Sequence, residues 1–411
     1  KDMDKVYLYK TQNSSVAYDD EQWYINDKIQ EKKDGDNVQE KAKEHAFKLM
    51  AEDLSRYMSH FRNIAVLTAA GTSMENGIHG GKTRTELWES YEDEINKIAN
   101  VFTSTDGPLK DKCTQILQDK NIEDFLSFTI LYEKLNGEII DKDDSKNLRI
   151  KLENKIAAAC KLDLDETNQH HQDFIRKLTA RKPSEPRLQL YTTNYDTLFE
   201  QAARRMNYVI IDGFSLSYPR VFNGTNFNFD IVFREHTRVK QEESFVPNVF
   251  QLFKLHGSID WEKNTKGQIL QKEKSDNPCI IYPASEKYES SYDQPYFEMM
   301  SHFQQTLRKE NTLLIVVGFG FKDKHIQNVI KEASLQNHNL HVLIVCYGQI
   351  EKEGKWVDSG ITSGLVPDFI DKDLNVQPNI SVLFSKFKAF VEHLPMNDSY
   401  NNNNPFENAS I

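Results

Sequence analysis

Short apolar runs and amphipathic stretches alternate along the chain, and each pattern predicts a different element. Ile64–Thr68 is apolar without polar alternation, as expected for a strand buried on both faces. Further core strands are predicted at Arg187–Tyr191, Tyr208–Gly213, Phe250–Leu255, Leu313–Val317 and His341–Cys346. A helix with one apolar stripe is predicted at Gln39–Phe61. Buried strands alternating with helices indicate an α/β fold that is Rossmann-like and doubly wound, with a mostly parallel sheet.

A long helical block interrupts this alternation. No strand is predicted between residues 85 and 181, where apolar residues recur at helical spacing. The predicted helices are Glu86–Phe102, Ile122–Leu135, Lys146–Lys161 and Asn168–Ala180. The predicted division is an N-terminal helical or extended segment at 1–60, an α/β domain at 61–84 and 182–395, a large helical insertion at 85–181, and a low-complexity tail at 396–411.

Composition narrows the class of protein. Of the 411 residues, 38% are hydrophobic and 27% are charged, which excludes a disordered polymer. The longest clean apolar run, Thr312–Phe321, is half of the ~20 residues that a membrane-spanning helix needs. No signal peptide opens the chain, so we expect a cytoplasmic protein without membrane contact. The net charge of −11 argues against direct binding of duplex DNA.

Neither the cysteines nor the histidines form a recognisable metal motif. The four cysteines are Cys113, Cys160, Cys279 and Cys346. They include no CxxC pair, so we expect no metal site and no zinc. His170 and His171 are adjacent, but neighbouring side chains diverge on a helix. We therefore expect these two histidines to lie at the surface or to be partly packed.

Four predicted strands end in residues that suit a binding site. These segments are AAGTS at 69–73, TTNYD at 192–196, HGS at 256–258 and GFGFKD at 318–323. In open α/β sheets, ligands bind in the crevice beyond the carboxyl ends of the strands. The four segments are therefore candidates for one shared site.

Each segment supports a functional and a structural interpretation. The small residues at 69–73 suit a phosphate-binding loop or an ordinary tight turn. Asn194 and Asp196 offer an amide and a carboxylate to ribose hydroxyls or a water, or they cap the next helix. His256 is a candidate general base or a structural histidine. The glycines of the last segment suit the second half of a dinucleotide, with Asp323 as a helix N-cap.

In order and spacing, these segments resemble the sirtuin superfamily. The family's Gly-Ala-Gly-x-Ser loop, followed by Gly-Ile, is matched by Ala69–Ser73 and Gly77-Ile78. Its Thr-x-Asn-x-Asp motif is matched by Thr192–Asp196, and its catalytic His-Gly by His256-Gly257. Gly318–Asp323 resembles the Gly-rich strand end that closes the family's nucleotide site.

The departures from the family pattern concern the substrate. The Pro-Asp-Phe-Arg that should follow Gly-Ile is absent; Lys82 or Arg84 is a substitute for its Arg, or a solvated loop charge. Thr193 replaces the usual Gln, and the four-cysteine zinc module of protein deacylases is missing. NIEDFLS at 121–127 and IIYPASEKY at 280–288 resemble segments of bacterial sirtuin-like proteins. The resemblance thus points to the bacterial antiphage effectors that cleave NAD+.

That resemblance implies an NAD+ hydrolase with NAD as its substrate. It implies that Asn194 holds the ribose or the attacking water and that His256 is the general base. The residues implied to bind NAD+ are Ala70, Gly71, Thr72, Ser73, Ile78, Thr193, Asp196, Gly318, Gly320 and Asp323. It also implies a homo-oligomer gated by a partner, such as a HerA-type hexameric translocase ATPase or an Argonaute-like protein. A deacylase or ADP-ribosyltransferase, and a non-catalytic NAD or ADP-ribose sensor, remain alternatives.

Overall fold

An eleven-stranded sheet is the framework of the molecule. The strands of the computed structural model are β1 Val6–Lys10, β2 Ser15–Tyr18, β3 Trp23–Ile25, β4 Lys28–Ile29, β5 Asn63–Thr68, β6 Gln189–Thr192, β7 Val209–Ile211, β8 Val249–Lys254, β9 Gly257–Lys263, β10 Ile269–Gln271, β11 Pro278–Ile280, β12 Thr312–Val317, β13 Leu340–Cys346, β14 Gln349–Lys352, β15 Lys355–Asp358 and β16 Ile380–Phe384. The strand order in the large sheet is β4-β3-β2-β1-β16-β13-β12-β5-β6-β8-β7.

Helices cover both faces of this sheet and form most of the segment between β5 and β6. They are α1 Val38–His60, α2 Ala70–Ser73, α3 Arg84–Ser90, α4 Glu92–Thr103, α5 Pro108–Asp119, α6 Ile122–Asn136, α7 Leu148–Ala159, α8 His170–Thr179, α9 Leu198–Arg205, α10 Tyr296–Arg308, α11 Lys324–Gln336 and α12 Phe387–His393. The structure describes residues 5–31, 35, 37–77, 80–82, 84–104, 107–137, 148–182, 185–233, 245–273, 275, 278–280, 294–321, 323–347, 349–352, 355–358, 369 and 376–396.

Seven parallel strands form the centre of the sheet, and their direction of winding changes between β5 and β12. From β5 the chain proceeds through β6 toward β8 and β7, whereas from β12 it proceeds through β13 to β16. This arrangement is a Rossmann-like, doubly wound α/β fold, so the predicted fold class is confirmed. The position between β5 and β12 is the switch point of the sheet, where such sheets bind ligands.

Two apolar layers hold the helices against the sheet. On one face, α1, α8, α9 and α12 pack over β5, β6, β8 and β13. On the other face, α10 and α11 pack over the same central strands. The strand β12 is fully buried along its length because it lies between both layers. That burial explains its uninterrupted apolar sequence.

The first strands of the chain were not predicted from the sequence. The strands β1 to β4 form an antiparallel meander, and β1 pairs with β16 at Tyr9↔Leu383 and Lys10↔Val382. The sequence also predicted no core strand after His341–Cys346, and this is wrong, since β16 pairs in parallel with β13. Short strands with polar residues among apolar ones give a weak periodic signal, which explains both omissions.

The helical insertion has an apolar cluster of its own. Trp88, Phe102, Cys113, Phe125 and Leu152 are buried in it, on helices α3 to α7. The predicted helix Glu86–Phe102 is two helices, α3 and α4, that are separated at Tyr91. Helix α5 was not predicted, although Pro108 stands at its first position, where a proline is favoured.

Within the described residues, no helix is long and apolar enough to cross a membrane.

Candidate active site

The loop after β6 is fastened to the loop after β5 through the side chain of Asn194. Its amide nitrogen Nδ2 lies 3.1 Å from the carbonyl oxygen of Ala69, 3.1 Å from Thr72 Oγ1 and 2.7 Å from Ser73 Oγ. The amide orientation is fixed, because only Nδ2 can donate to the Ala69 carbonyl. The alternative that Asn194 caps the next helix is wrong, since the side chain binds across two strand ends.

Asp196 reinforces the same junction. Its side chain is buried, and Oδ2 accepts a hydrogen bond of 2.5 Å from Ser73 Oγ. Its other oxygen, Oδ1, accepts a hydrogen bond of 3.0 Å from the backbone N–H of Leu198 at the start of α9. Asp196 therefore closes the turn before the helix, as its structural interpretation expected, and it also orients Ser73.

Two glycines let the loops after β5 and β12 approach each other. A Cβ on Gly71 would lie 2.6 Å from the Cα of Gly318, and the N–H of Gly71 donates to the Gly318 carbonyl at 3.2 Å. Gly318 has a φ of +66°, a conformation that favours glycine. These two glycines serve close packing between loops, which is the structural alternative for the segment at 69–73. Around Gly320, by contrast, an added Cβ would meet no described atom within 4 Å.

His256 lies at the end of β8 and faces a carboxylate from the neighbouring loop. Its side chain is 6% exposed, and Nε2 lies 2.8 Å from Asp323 Oδ2. The second oxygen of Asp323, Oδ1, lies 2.8 Å from Nδ1 of His325, which is 39% exposed. Asp323 is the N-cap residue of α11 by position, as predicted, but its side chain makes no capping hydrogen bond to that helix. The structure instead places Asp323 between two imidazoles.

The charge of Asp323 is fixed by these neighbours. Burial alone would raise the pKa of the Asp323 carboxyl, but the adjacent His256 and His325 outweigh it and hold that pKa well below its usual range. The ring of Tyr195, next to Asn194, lies 6.5 Å from the ring of His256. The Asn194 junction and the His256–Asp323 pair are therefore adjacent parts of one sheet edge.

A buried lysine ties the two parts together. Lys254 Nζ, at the end of β8, donates to the backbone carbonyl oxygens of Tyr195 at 3.4 Å and of Asp196, and lies 2.9 Å from Glu200 Oε1. The surrounding carboxylates outweigh burial and raise the pKa of Lys254, so its ammonium stays charged. Sequence reasoning missed this residue. The signal was a lysine between Phe253 and Leu255 in the mostly apolar segment FQLFKL, because lysine is rarely fully buried without a partner.

The remaining residues predicted to bind NAD+ make contacts that do not indicate a ligand, or they lie outside the described residues. Thr193 joins β6 to β5, because its N–H donates to the carbonyl of Thr68 at 3.0 Å. Lys82, a proposed substitute for the family Arg, is exposed and donates to Ser90 Oγ at 2.8 Å. Ile78 lies outside the described residues, as do 281–288 of the IIYPASEKY segment and the tail from 397.

One prediction about histidines needs correction. His171 was expected at the surface or partly packed, but it is fully buried. Its ring lies 5.1 Å from that of Phe199 and 5.2 Å from that of Phe387. Neighbouring residues on an amphipathic helix can lie on opposite sides of the boundary of its apolar face. His171 lies on the apolar side and is buried, whereas His170 lies on the other side and is partly exposed.

Comparisons with known proteins bear on this site. Residues 189–363 match the family model of the SIR2-like domain. The matched segment includes Asn194, His256 and Asp323, while the loop at 69–73 lies before it. No curated protein matches the chain.

Two solved Sir2 structures are also similar to the chain. One comes from work on the structural basis for the mechanism and regulation of Sir2 enzymes; it is 12% identical, covers 85% of this chain and 97% of that chain, and has a TM-score of 0.39. The other is a Sir2 histidine-to-alanine variant with a deacetylated p53 peptide and 3′-O-acetyl-ADP-ribose; it is 11% identical, with coverages of 83% and 96% and a TM-score of 0.35. The match to the SIR2-like family model thus extends over residues 189–363 of the 411.

Proposed function

We propose that the protein is an NAD+ hydrolase that cleaves the bond between nicotinamide and ribose. The observation that carries the proposal is the buried His256–Asp323 pair, which lies beside the Asn194 junction at the switch point of the sheet. A histidine with a carboxylate at one nitrogen is a suitable general base. The SIR2-like match over the same residues supports NAD as the substrate.

Cleavage of the bond between nicotinamide and ribose needs little covalent catalysis by the protein. The ring nitrogen of nicotinamide carries the positive charge of NAD+, so cleavage of its bond to ribose C1′ releases nicotinamide as a neutral molecule. Positive charge then develops at C1′ in an oxocarbenium-like transition state, which must be oriented and stabilised. Water adds its oxygen to C1′ and gives up a proton, which yields ADP-ribose. In this proposal Asn194 orients the ribose or that water through Oδ1, since Nδ2 is held by the loop after β5.

Asp323 prepares His256 for proton transfer. A carboxylate 2.8 Å from Nε2 favours the tautomer that carries its proton on Nε2. Nδ1 then has the free lone pair that accepts the proton of the water or of a ribose hydroxyl. The imidazolium formed in this step is stabilised by the negative charge of Asp323.

Protein deacylation is the weaker proposal. Its zinc module needs cysteines that converge on one ion, whereas the four cysteines lie on separate elements, and none of them forms a disulfide in the described part of the chain. They are located in α5, after α7, in β11 and in β13. A deacylase or ADP-ribosyltransferase would need an acyl-lysine peptide to drive turnover, and a sensor would bind NAD+ without releasing nicotinamide.

We also propose a setting for this activity, in bacterial antiphage defence. An unregulated enzyme of this kind would deplete the NAD+ of its own cell. Assembly into a homo-oligomer, or with a HerA-type translocase ATPase or an Argonaute-like protein, would restrict activity to the assembled state. Light scattering of the purified chain, alone and with each candidate partner, together with nicotinamide release from the same fractions, tests this idea. A monomer that is fully active at nanomolar concentration would contradict it.

The test of the main proposal is a direct assay. Purified protein is mixed with NAD+, with and without an acetylated peptide, and nicotinamide and ADP-ribose are separated by chromatography. We expect both products without peptide, and a loss of at least about 100-fold for Asn194→Ala. His338→Ala, a change at an exposed residue after α11, is the control and should retain wild-type turnover.

The same assay distinguishes the alternatives. Turnover that requires the acetylated peptide would favour the deacylase. Saturable NAD+ binding without nicotinamide would favour the sensor. Wild-type turnover in Asn194→Ala would show that the site has been assigned to the wrong residues.

A further inference from the structure

Three side chains at the sheet edge converge in a way that the hydrolase mechanism does not require. His256, Asp323 and His325 each offer one ligand atom, and these atoms all lie within 4.8 Å of one another. They come from the end of β8 and from the start of α11, which the parallel sheet brings together. His325 has no role in the proposed hydrolysis, although it contacts the second oxygen of Asp323.

The geometry of the contacts is unusual for an ordinary hydrogen-bonded pair. His256 and Asp323 side chains are 6% and 10% exposed, so both are at least nine-tenths buried. Although Nε2 lies 2.8 Å from Asp323 Oδ2, neither this nitrogen nor either oxygen of Asp323 has a hydrogen-bond partner of acceptable direction among the described residues. Buried polar atoms normally find such a partner.

We propose that His256, Asp323 and His325 form a binding site for a divalent metal ion of the zinc class. Two imidazole nitrogens and one carboxylate match the donors that Zn2+ accepts, with a fourth position left to water. The proximity of His325 Nδ1 and Asp323 Oδ1, at 2.8 Å, is compatible with shared coordination. The partial exposure of His325 gives the ion a route from solvent.

Metal binding at this site has a consequence for activity, which rests on the proposed function. A metal ion held by His256 and Asp323 occupies the general base of the proposed hydrolysis itself. We therefore expect zinc to inhibit the enzyme reversibly. Asp323 is also withdrawn from the base when it ligates the ion.

Metal binding is tested first, without reference to turnover. Chelator-treated and desalted protein is titrated with Co2+, whose visible absorption reports coordination, and Zn2+ is then used to displace it. We expect one Co2+ per chain with a spectrum of low coordination number. His325→Ala and Asp323→Asn should each weaken Zn2+ binding at least about tenfold. His338→Ala, the matched change at an exposed histidine, should leave it unchanged.

The outcomes separate the metal site from the hydrolase. Absence of stoichiometric binding, or wild-type Zn2+ affinity in His325→Ala, would overturn the site. Nicotinamide release is then measured in chelator and in rising Zn2+; we expect loss of turnover that chelator restores, at higher Zn2+ in His325→Ala than in wild type. Zinc binding without loss of turnover would overturn the inhibitory role. If zinc binds as expected but no condition yields nicotinamide, the hydrolase proposal fails and the metal site stands.

Discussion

Two regions of the molecule bury a histidine, and their surroundings are opposite in character. At the carboxyl ends of the central strands, His256 lies 2.8 Å from the Asp323 carboxylate. In the helical layer of α8, α9 and α12, His171 lies between the rings of Phe199 and Phe387. Among the described residues, neither ring nitrogen of His171 has a hydrogen-bond partner. Both histidines are thus buried, but His256 lies beside a carboxylate and His171 lies beside aromatic rings.

The difference shows what distinguishes a candidate catalytic histidine from a packing one. Burial lowers the pKa of His171 to about 3, with a smaller contribution from the neighbouring His170, so its imidazole stays neutral at physiological pH. A neutral ring among aromatic side chains contributes packing. The ring of His256 instead lies against a carboxylate, that of Asp323. The sheet edge is organised by charge, and the helical layer by apolar contact.

The largest expected effect concerns the lysine that organises the sheet edge. Lys254→Met leaves the largely buried Glu200 without its ammonium partner, so we expect the free energy of unfolding to fall by about 3 kcal/mol. Denaturant titration measures this change, and Lys263→Met, at an exposed lysine, is the control. The double variant Lys254→Met/Glu200→Gln should recover part of the stability. Its nicotinamide release should remain low, because the Tyr195 and Asp196 carbonyls have lost their donor.

A Lys254→Met variant as stable as the wild type would contradict the view that charge organises the sheet edge. The sheet edge would then be held by backbone contacts alone. A double variant with full turnover would show that Lys254 serves stability and has no part in positioning the Asn194 loop.

The second effect concerns the carboxylate next to His256. Asp323→Asn keeps the shape of the side chain but removes the charge, so we expect kcat for nicotinamide release to fall about 100-fold or more. Asp53→Asn on α1 changes another partly buried carboxylate, paired with Tyr9 at 2.6 Å, and should leave kcat unchanged. If Asp323→Asn retains wild-type kcat in chelator, His256 works without its carboxylate and the contrast between the two histidines loses its functional meaning.

The third prediction concerns the pH dependence of stability that arises from the buried His171. The unfolded chain protonates this imidazole near its ordinary pKa of 6.5, whereas the folded protein does so only near 3. Its contribution to stability is therefore complete above about pH 6.5 and is lost as the pH falls toward 3. From pH 7 to pH 5 the loss is about 2 kcal/mol. His171→Leu should remove this part of the acid sensitivity, as measured by urea titration at both pH values; an unchanged pH dependence would contradict the assignment.

The smallest effect concerns two glycines in the loop after β12. Gly318→Ala introduces a Cβ about 2.8 Å from Gly71 Cα in a left-handed conformation, so it should lower Tm. Gly320→Ala meets no described atom within 4 Å and should leave Tm unchanged. If NAD+ occupies the space beside Gly320, KM should rise a few-fold in this variant. An unchanged KM would place the dinucleotide elsewhere.

Much of the sheet could be predicted from the sequence, because fully buried strands need continuous apolar runs. β5, β6, β8, β12 and β13 were all predicted within a few residues. β1 to β4 and β16 are short, and their pairing depends on a contact between distant parts of the chain. Local periodicity carries no record of such a contact.

The candidate site was predictable to a similar extent. Asn194, Asp196 and His256 follow strands and match a known motif. The role of Asp323 was not predictable, because its local context at the start of α11 suggested a helix cap. Only the parallel pairing of the strands shows that its carboxylate faces His256. Lys254 was missed for the same reason, since its partners belong to the loop after β6.

The pairing of β1 with β16 has a consequence for the order of events during synthesis. A ribosome makes the N-terminal meander first, but β1 acquires its neighbour in the sheet only when Ile380–Phe384 has emerged. Until then, one long edge of β1 has no strand beside it, and the same holds for the outer edge of β13. Both open edges are able to pair with other chains. We therefore expect the sheet to be most open to wrong pairing between chains before Ile380–Phe384 has been made.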